Sequence, residues 1–179
     1  LMYDSFFVSD LHGHPDRYRK LFEAVREELP ERLFFGGDLL PHRLRTMENF
    51  DDFTFDFLLP EFRKLKEDLK GSYPEIFLIL GNDDPRSEEK KFLEGSLDGL
   101  FTYAHMKKTV SGPYLVFGYA CVPPTPFQLK DWERYDVSRY VDPGCIHPTE
   151  GFRSVTPVED IEFSTIKGVK EDVTEIILN

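Results

Sequence analysis

The sequence predicts an α/β fold built on a largely parallel sheet, and three observations carry that expectation. Through residue 84, short β-prone runs alternate with amphipathic helical spacers, the order that gives parallel strands joined by right-handed crossovers. The third run, Ile76-Phe77-Leu78-Ile79-Leu80, is apolar throughout, as a strand buried on both faces is. All three runs stop at glycine or at side chains able to bind a metal: Asp10-Leu11-His12-Gly13-His14, Gly37-Asp38 and Gly81-Asn82-Asp83.

The elements follow in order. Ser5-Phe6-Phe7-Val8 predicts the first strand. Tyr18, Leu21, Phe22, Val25 and Leu29 fall on one helical face, so a helix is expected from Asp16 to Leu29, opened by Pro15 and ended by Pro30. Leu33-Phe34-Phe35 predicts the second strand. A second helix is expected over about Asp56 to Leu69, with Pro60 pulling its start later and Gly71 closing it. Glu75 to Leu80 is the third strand, and Arg86 to Glu94 a short helix. Leu100 to Val110 and Tyr114 to Tyr119 then predict two strands around a Gly112-Pro113 turn. From Pro123 to Pro157 the chain holds six of its 13 prolines and no sustained period. Ile161 to Asn179 carries only weak strand and helix signals. We read one domain over residues 1–179: a regular α/β part of about 3–120, a proline-rich arm of about 121–157 and a tail of 158–179.

Composition narrows the function classes. The 179 residues suit one domain with a real core, and 40% apolar residues with 17 Phe exclude a mainly disordered chain. No apolar run approaches the roughly 20 residues of a membrane span, and no basic-then-apolar leader opens the sequence. With 33 acidic against 22 basic side chains, the net charge of −11 disfavours non-specific nucleic-acid or anionic-membrane binding. Cys121 and Cys145 have no metal or redox spacing and read as buried apolar residues, which points to a reducing cytoplasm.

Ligands bind at the carboxyl ends of parallel strands in open α/β sheets. Alternation along an extended loop would aim Asp10 and His12 at one ion. The Asp, His and Asn donors suit Mn²⁺, Fe or Zn²⁺ better than Ca²⁺. Taken singly, a D-x-H triplet or a Gly-Asp pair is an ordinary turn sequence. Their conjunction, in order and each after a β-prone run, is not.

Asp10-x-His12, Gly37-Asp38 and Gly81-Asn82 resemble the motifs of the calcineurin-like metallophosphoesterases, over residues 3–85. The resemblance implies an α/β/β/α sandwich of the metallophosphoesterase type with two divalent metal ions (Mn²⁺, Fe or Zn²⁺) at the strand ends. By that similarity Asp10 and His12 hold the first ion, Asp38 bridges both and Asn82 holds the second. Two such ions about 3.5–4 Å apart share a hydroxide that attacks the phosphorus of a phosphate ester.

Two features depart from the family pattern. Most active relatives follow the third motif with a His that assists the leaving group, and here that residue is Asp83. A carboxylate beside two dications is a poor proton donor, which makes His14, on the same loop as the ligands, an alternative to Asp83 as the catalytic acid. The family also completes its site with late histidines, commonly in a Gly-His-x-His motif. None of the five His lies in that context, leaving His105 and His147 as weak substitutes. The sandwich is therefore expected to be incomplete at its C-terminal end, with an exposed edge or apolar face that favours self-association. The arm's Lys130, Arg134, Arg139 and Arg153, with Trp132, Tyr135 and Tyr140, suggest either a phosphate grip or a structural cover, the cover being favoured. Two functions compete: a dinuclear phosphoesterase, and a non-catalytic scaffold of the same fold with a degraded metal site.

Overall fold

The computed structural model describes residues 5–42, 50–135 and 138–155. The expectations for the tail after residue 155 lie outside the described residues.

Four strands lie side by side in chain order, all parallel: β1 (Ser5–Val8), β2 (Arg32–Phe35), β3 (Glu75–Leu78) and β4 (Thr102–Tyr103). Helices α1 (Pro15–Glu28), α2 (Leu59–Leu69) and α3 (Glu89–Leu97) fill the three crossovers, as the alternation predicts. Side chains alternate along β2. Phe35 turns to the helices and meets Phe62 of α2 edge-on at 5.6 Å, while Phe62 lies 5.2 Å from Phe22 of α1. Phe34 turns the other way and stacks on Phe77 of β3 at 5.3 Å. Ile76, Phe77 and Leu78 are all buried, so β3 is covered on both faces. Phe7 pairs in register with Phe34 but is 73% exposed, which leaves an uncovered aromatic at that end of the row.

Boundaries shift for identifiable reasons. Pro15 opens α1 and Leu29, in a left-handed conformation, ends it before Pro30. The second helix begins at Leu59, not Asp56. Pro60 has no N–H to donate four residues back, and the turn ahead widens into a π-helical one over Thr54–Leu58, where Leu59 N–H bonds Thr54 O. Residues 86–88 form a 3₁₀ turn, so α3 starts at Glu89 and runs on to Leu97. Gly95 inside it is required by packing, because a Cβ there would meet Phe101 and Leu59 below 3.0 Å. The expected strand from Leu100 to Val110 is broken. Met106 turns left-handed at φ 54° and separates β4 from β5 (Lys107–Ser111), which pairs antiparallel with β6 (Tyr114–Gly118). Arg32 anchors this hairpin to the main sheet, donating to Ser111 Oγ at 2.5 Å and lying over the Tyr114 ring.

The arm is a structural cover. Trp132 is buried and donates its indole N–H to the Asp84 carbonyl at 2.8 Å. Asp131 accepts the backbone N–H groups of Arg86 and Ser154. Lys130 is fully buried against Glu133 at 2.5 Å and also donates to the Thr125 carbonyl. Lys130 and Trp132 are therefore spent on packing, and the phosphate-grip reading fails for both. Cys121 is buried as expected, while Cys145 is only half-buried.

His105 packs edge-on against Trp132 at 5.1 Å, and its Nδ1 accepts the Ala120 N–H at 3.0 Å. Burial, reinforced by Arg86 and Arg134, pushes its pKa down to about 4. Below the ordinary value of about 6.5 the unfolded ring takes up a proton that the folded ring refuses. Stability contributed by the neutral ring is thus lost as pH falls from about 6.5 toward 4, on the order of 3 kcal/mol in total. Melting followed from pH 7 to 5 should fall more steeply for the unmodified protein than for His105→Gln. Parallel curves would mean that the ring is protonated when folded.

Candidate metal centre

The site grows from three loops at the carboxyl ends of β1, β2 and β3. After β1, the chain keeps pairing with the segment after β2: Asp10 N–H bonds Gly37 O, His12 N–H bonds Asp38 O, and Gly13 N–H bonds Leu39 O. A Cβ on Gly37 would lie 2.6 Å from the Gly81 backbone, and one on Gly81 would lie 2.3 Å from Asp38 N. Only glycine at both positions lets the second and third loops touch.

This stitching brings Asp10, His12 and Asp38 together, with one potential ligand atom of each within 4.8 Å of the others. All three are left-handed, at φ 58°, 46° and 55°. The sequence expectation of an extended loop is corrected here. Asp10 and His12 converge because each turns left-handed around the intervening Leu11, which is buried. Non-glycine residues take that conformation at some energetic cost, and such strain concentrates at functional sites.

Asp38 Oδ1 accepts the Asp83 N–H at 2.9 Å. Its carboxyl pKa is raised chiefly by burial, with Asp10 and Asp83 adding to the rise, while the Asp83 N–H pulls it down. Three carboxylates this close repel one another and gain from a cation. His12 Nδ1 is buried and makes no aligned hydrogen bond among the described residues. The mixed oxygen and nitrogen donors of Asp10, Asp38 and His12 fit a divalent transition metal.

The other expected residues occupy distinct places. Asn82 is half-buried in the turn directly after Gly81, the glycine packed against Asp38. His14 caps the start of α1 through its carbonyl, without a side-chain capping bond. Asp83 Oδ2 lies 3.3 Å from His12 Nδ1 and 2.9 Å from His42 Nε2. His105 lies under the arm, and His147 Nδ1 faces Tyr135 OH at 3.3 Å; neither belongs to the Asp10–His12–Asp38 group.

Sequence reasoning missed two residues. His42 follows Asp38 by four positions, and its only visible signal was being one of five His. Its ring stacks on His12 with centroids 6.0 Å apart. Asp84 is fully buried and accepts the N–H groups of Leu39, Leu40 and Gly81 at 2.7–3.1 Å. Burial pushes its pKa up to about 7, against the pull of those backbone donors. It reads in the sequence only as the second half of an Asp-Asp turn.

No curated protein matches the chain. A solved crystal structure is similar over 66% of this chain and 53% of its own, at 16% identity and a TM-score of 0.44. The chain thus spans about half the length of that structure. The profile of the calcineurin-like phosphoesterases matches residues 6–153, and it meets a mixed α/β fold with a four-strand parallel sheet whose strand ends carry the Asp10–His12–Asp38 cluster; the chain belongs to that family.

Proposed function

We propose that this protein is a divalent-metal-dependent phosphoesterase, with Asp10, His12, Asp38 and Asn82 as ligands of two ions and Asp38 between them. The convergence of Asp10, His12 and Asp38, each held left-handed at a strand end, carries the reading. Ions bound there would supply Lewis acidity toward phosphoryl oxygens and an activated water near neutral pH. The protein's own part is to fix the donors. The Asp83 N–H holds one oxygen of Asp38, and the paired loop backbones hold Asp10 and His12.

A small phosphate ester is the substrate class that fits best. The net charge of −11 opposes polyanions, and Gly-Asp-Leu-Leu-Pro stands where phosphoprotein phosphatases carry an Asp-Arg-Gly. Two cysteines without metal or redox spacing support a reducing compartment such as the cytoplasm, and no described helix is long and apolar enough to cross a membrane. The exposed Phe7 supports self-association as a homo-oligomer.

Metal content per chain, followed by turnover of bis(p-nitrophenyl) phosphate with Mn²⁺, tests the proposal. Stoichiometric metal and metal-dependent turnover are expected. Metal-free chain without turnover would favour the scaffold reading, which Asp83 in place of the usual His supports. Proton donation to the leaving group falls to Asp83 or, alternatively, to His14 at the start of α1. With Asp83 a poor donor, turnover should rise steeply as leaving-group pKa falls, and Asp83→His should flatten the trend. A flat dependence in the unmodified protein would point to His14 instead.

A further inference from the structure

We propose that Asp83 is the positioning residue of the metal centre, orienting His12 through its Nδ1 and tethering His42 at the rim. The inference rests on the metal reading above and adds to it a role for this chain's Asp-for-His replacement.

The geometry is that of one carboxylate oxygen shared by two imidazoles. Asp83 Oδ2 stands 3.3 Å from His12 Nδ1 and 2.9 Å from His42 Nε2, while the two rings stack with planes 19° apart. The opposite nitrogen of His12, Nε2, faces Asp10 Oδ1 at 3.8 Å. Nε2 is thus on the cluster side of the ring and Nδ1 on the Asp83 side. A histidine that ligates through one nitrogen must carry its proton on the other, and the group accepting that proton's hydrogen bond sets both tautomer and ring angle. Among the described residues, Asp83 places a carboxylate in reach of that nitrogen. A small rotation of the ring, open to the metal-free protein as well, aligns the Nδ1–H with Oδ2 across that 3.3 Å gap.

Asp83 is itself held in place from behind. Its backbone N–H donates to Asp38 Oδ1, so the backbone that carries the orienting carboxylate is fixed by the expected bridging ligand. His12, Asp38 and Asp83 therefore form one mechanical unit. His42 contributes the fourth side, pulling the same oxygen toward the exposed rim and fixing the carboxylate between two planar rings.

The test uses the full chain with Mn²⁺ as the probe and two readouts, neither of them turnover. In the metal-free protein at pH 8, ¹⁵N spectra should show the His12 proton on Nδ1. Asp83→Ala should return His12 to a tautomer mixture and weaken Mn²⁺ binding by 10–100-fold, the range for removing an outer-shell partner. If Asp83→Ala does not fold, the isosteric Asp83→Asn carries the same readouts with a smaller loss. Asp10→Ala should abolish Mn²⁺ binding yet leave the His12 proton on Nδ1. An unchanged His12 tautomer on losing the Asp83 carboxylate overturns the proposal, as does unchanged Mn²⁺ affinity. If the unmodified chain binds no Mn²⁺, the metal reading fails by itself, and the tautomer shift still decides the role of Asp83.

Discussion

Replacing Asp38 by Asn is expected to strip the centre of metal and to abolish divalent-metal activation. The carboxylate sits among Asp10, His12 and Asp83, and it is the ligand expected to serve both ions. An amide keeps the shape, so the Asp83 N–H retains an acceptor and the loops should hold. What disappears is the charge. Losing an outer-shell partner costs 10–100-fold in metal affinity, so losing a ligand that both ions share should cost about 100-fold or more. Metal analysis after dialysis should show a larger loss for Asp38→Asn than for Asn82→Ala. Normal turnover with metal retained in Asp38→Asn would remove the two-metal reading.

Asp84→Ala should cause the largest loss of stability. Its side chain satisfies three backbone donors from two different loops, two buried and one half-buried, and its own carbonyl accepts the Trp132 indole. Truncation leaves those three N–H groups without a partner at about 1–3 kcal/mol each, so a total of about 3–9 kcal/mol is expected. A typical domain has only about 5–15 kcal/mol to lose. The urea midpoint should fall accordingly, and Asp84→Asn, which keeps one acceptor oxygen, should lose roughly half as much. Metal affinity should drop in both, since the loops carrying Asp38 and Asn82 lose their common anchor. A midpoint shift worth under about 1 kcal/mol would mean that water replaces the carboxylate.

The parts legible in the sequence are those governed by local periodicity and by residue type at strand ends. Tyr18, Phe22 and Val25 all point into the core from α1, as their spacing requires. Gly37 and Gly81 announce the close approach of the second and third loops. Asp10, His12 and Asp38 converge as the strand-end pattern demands. What escaped depends on backbone conformation or on distant pairing. An alternating pattern cannot reveal that Asp10 and His12 both turn left-handed. The link between Asp84 and Leu39 spans 45 positions, and that between Asp83 and His42 spans 41, so no spacing rule connects them. The arm likewise looked irregular because buried side chains and isolated backbone bridges hold it, not a ladder: Trp132 reaches Asp84, Lys130 reaches Thr125, and Asp131 reaches both Arg86 and Ser154.

The left-handed trio at the centre bears on how such a chain drifts over generations. Asp10, His12 and Asp38 each hold a conformation that disfavours a side chain by roughly 1 kcal/mol or more, and glycine would relieve it. A lineage that had abandoned metal would therefore gain stability at every glycine it accepted there, with nothing to lose in exchange. Random change would erode the trio in that direction first. Asp10, His12 and Asp38 thus trade stability for donor atoms at one point, an exchange that makes physical sense where an ion is bound there.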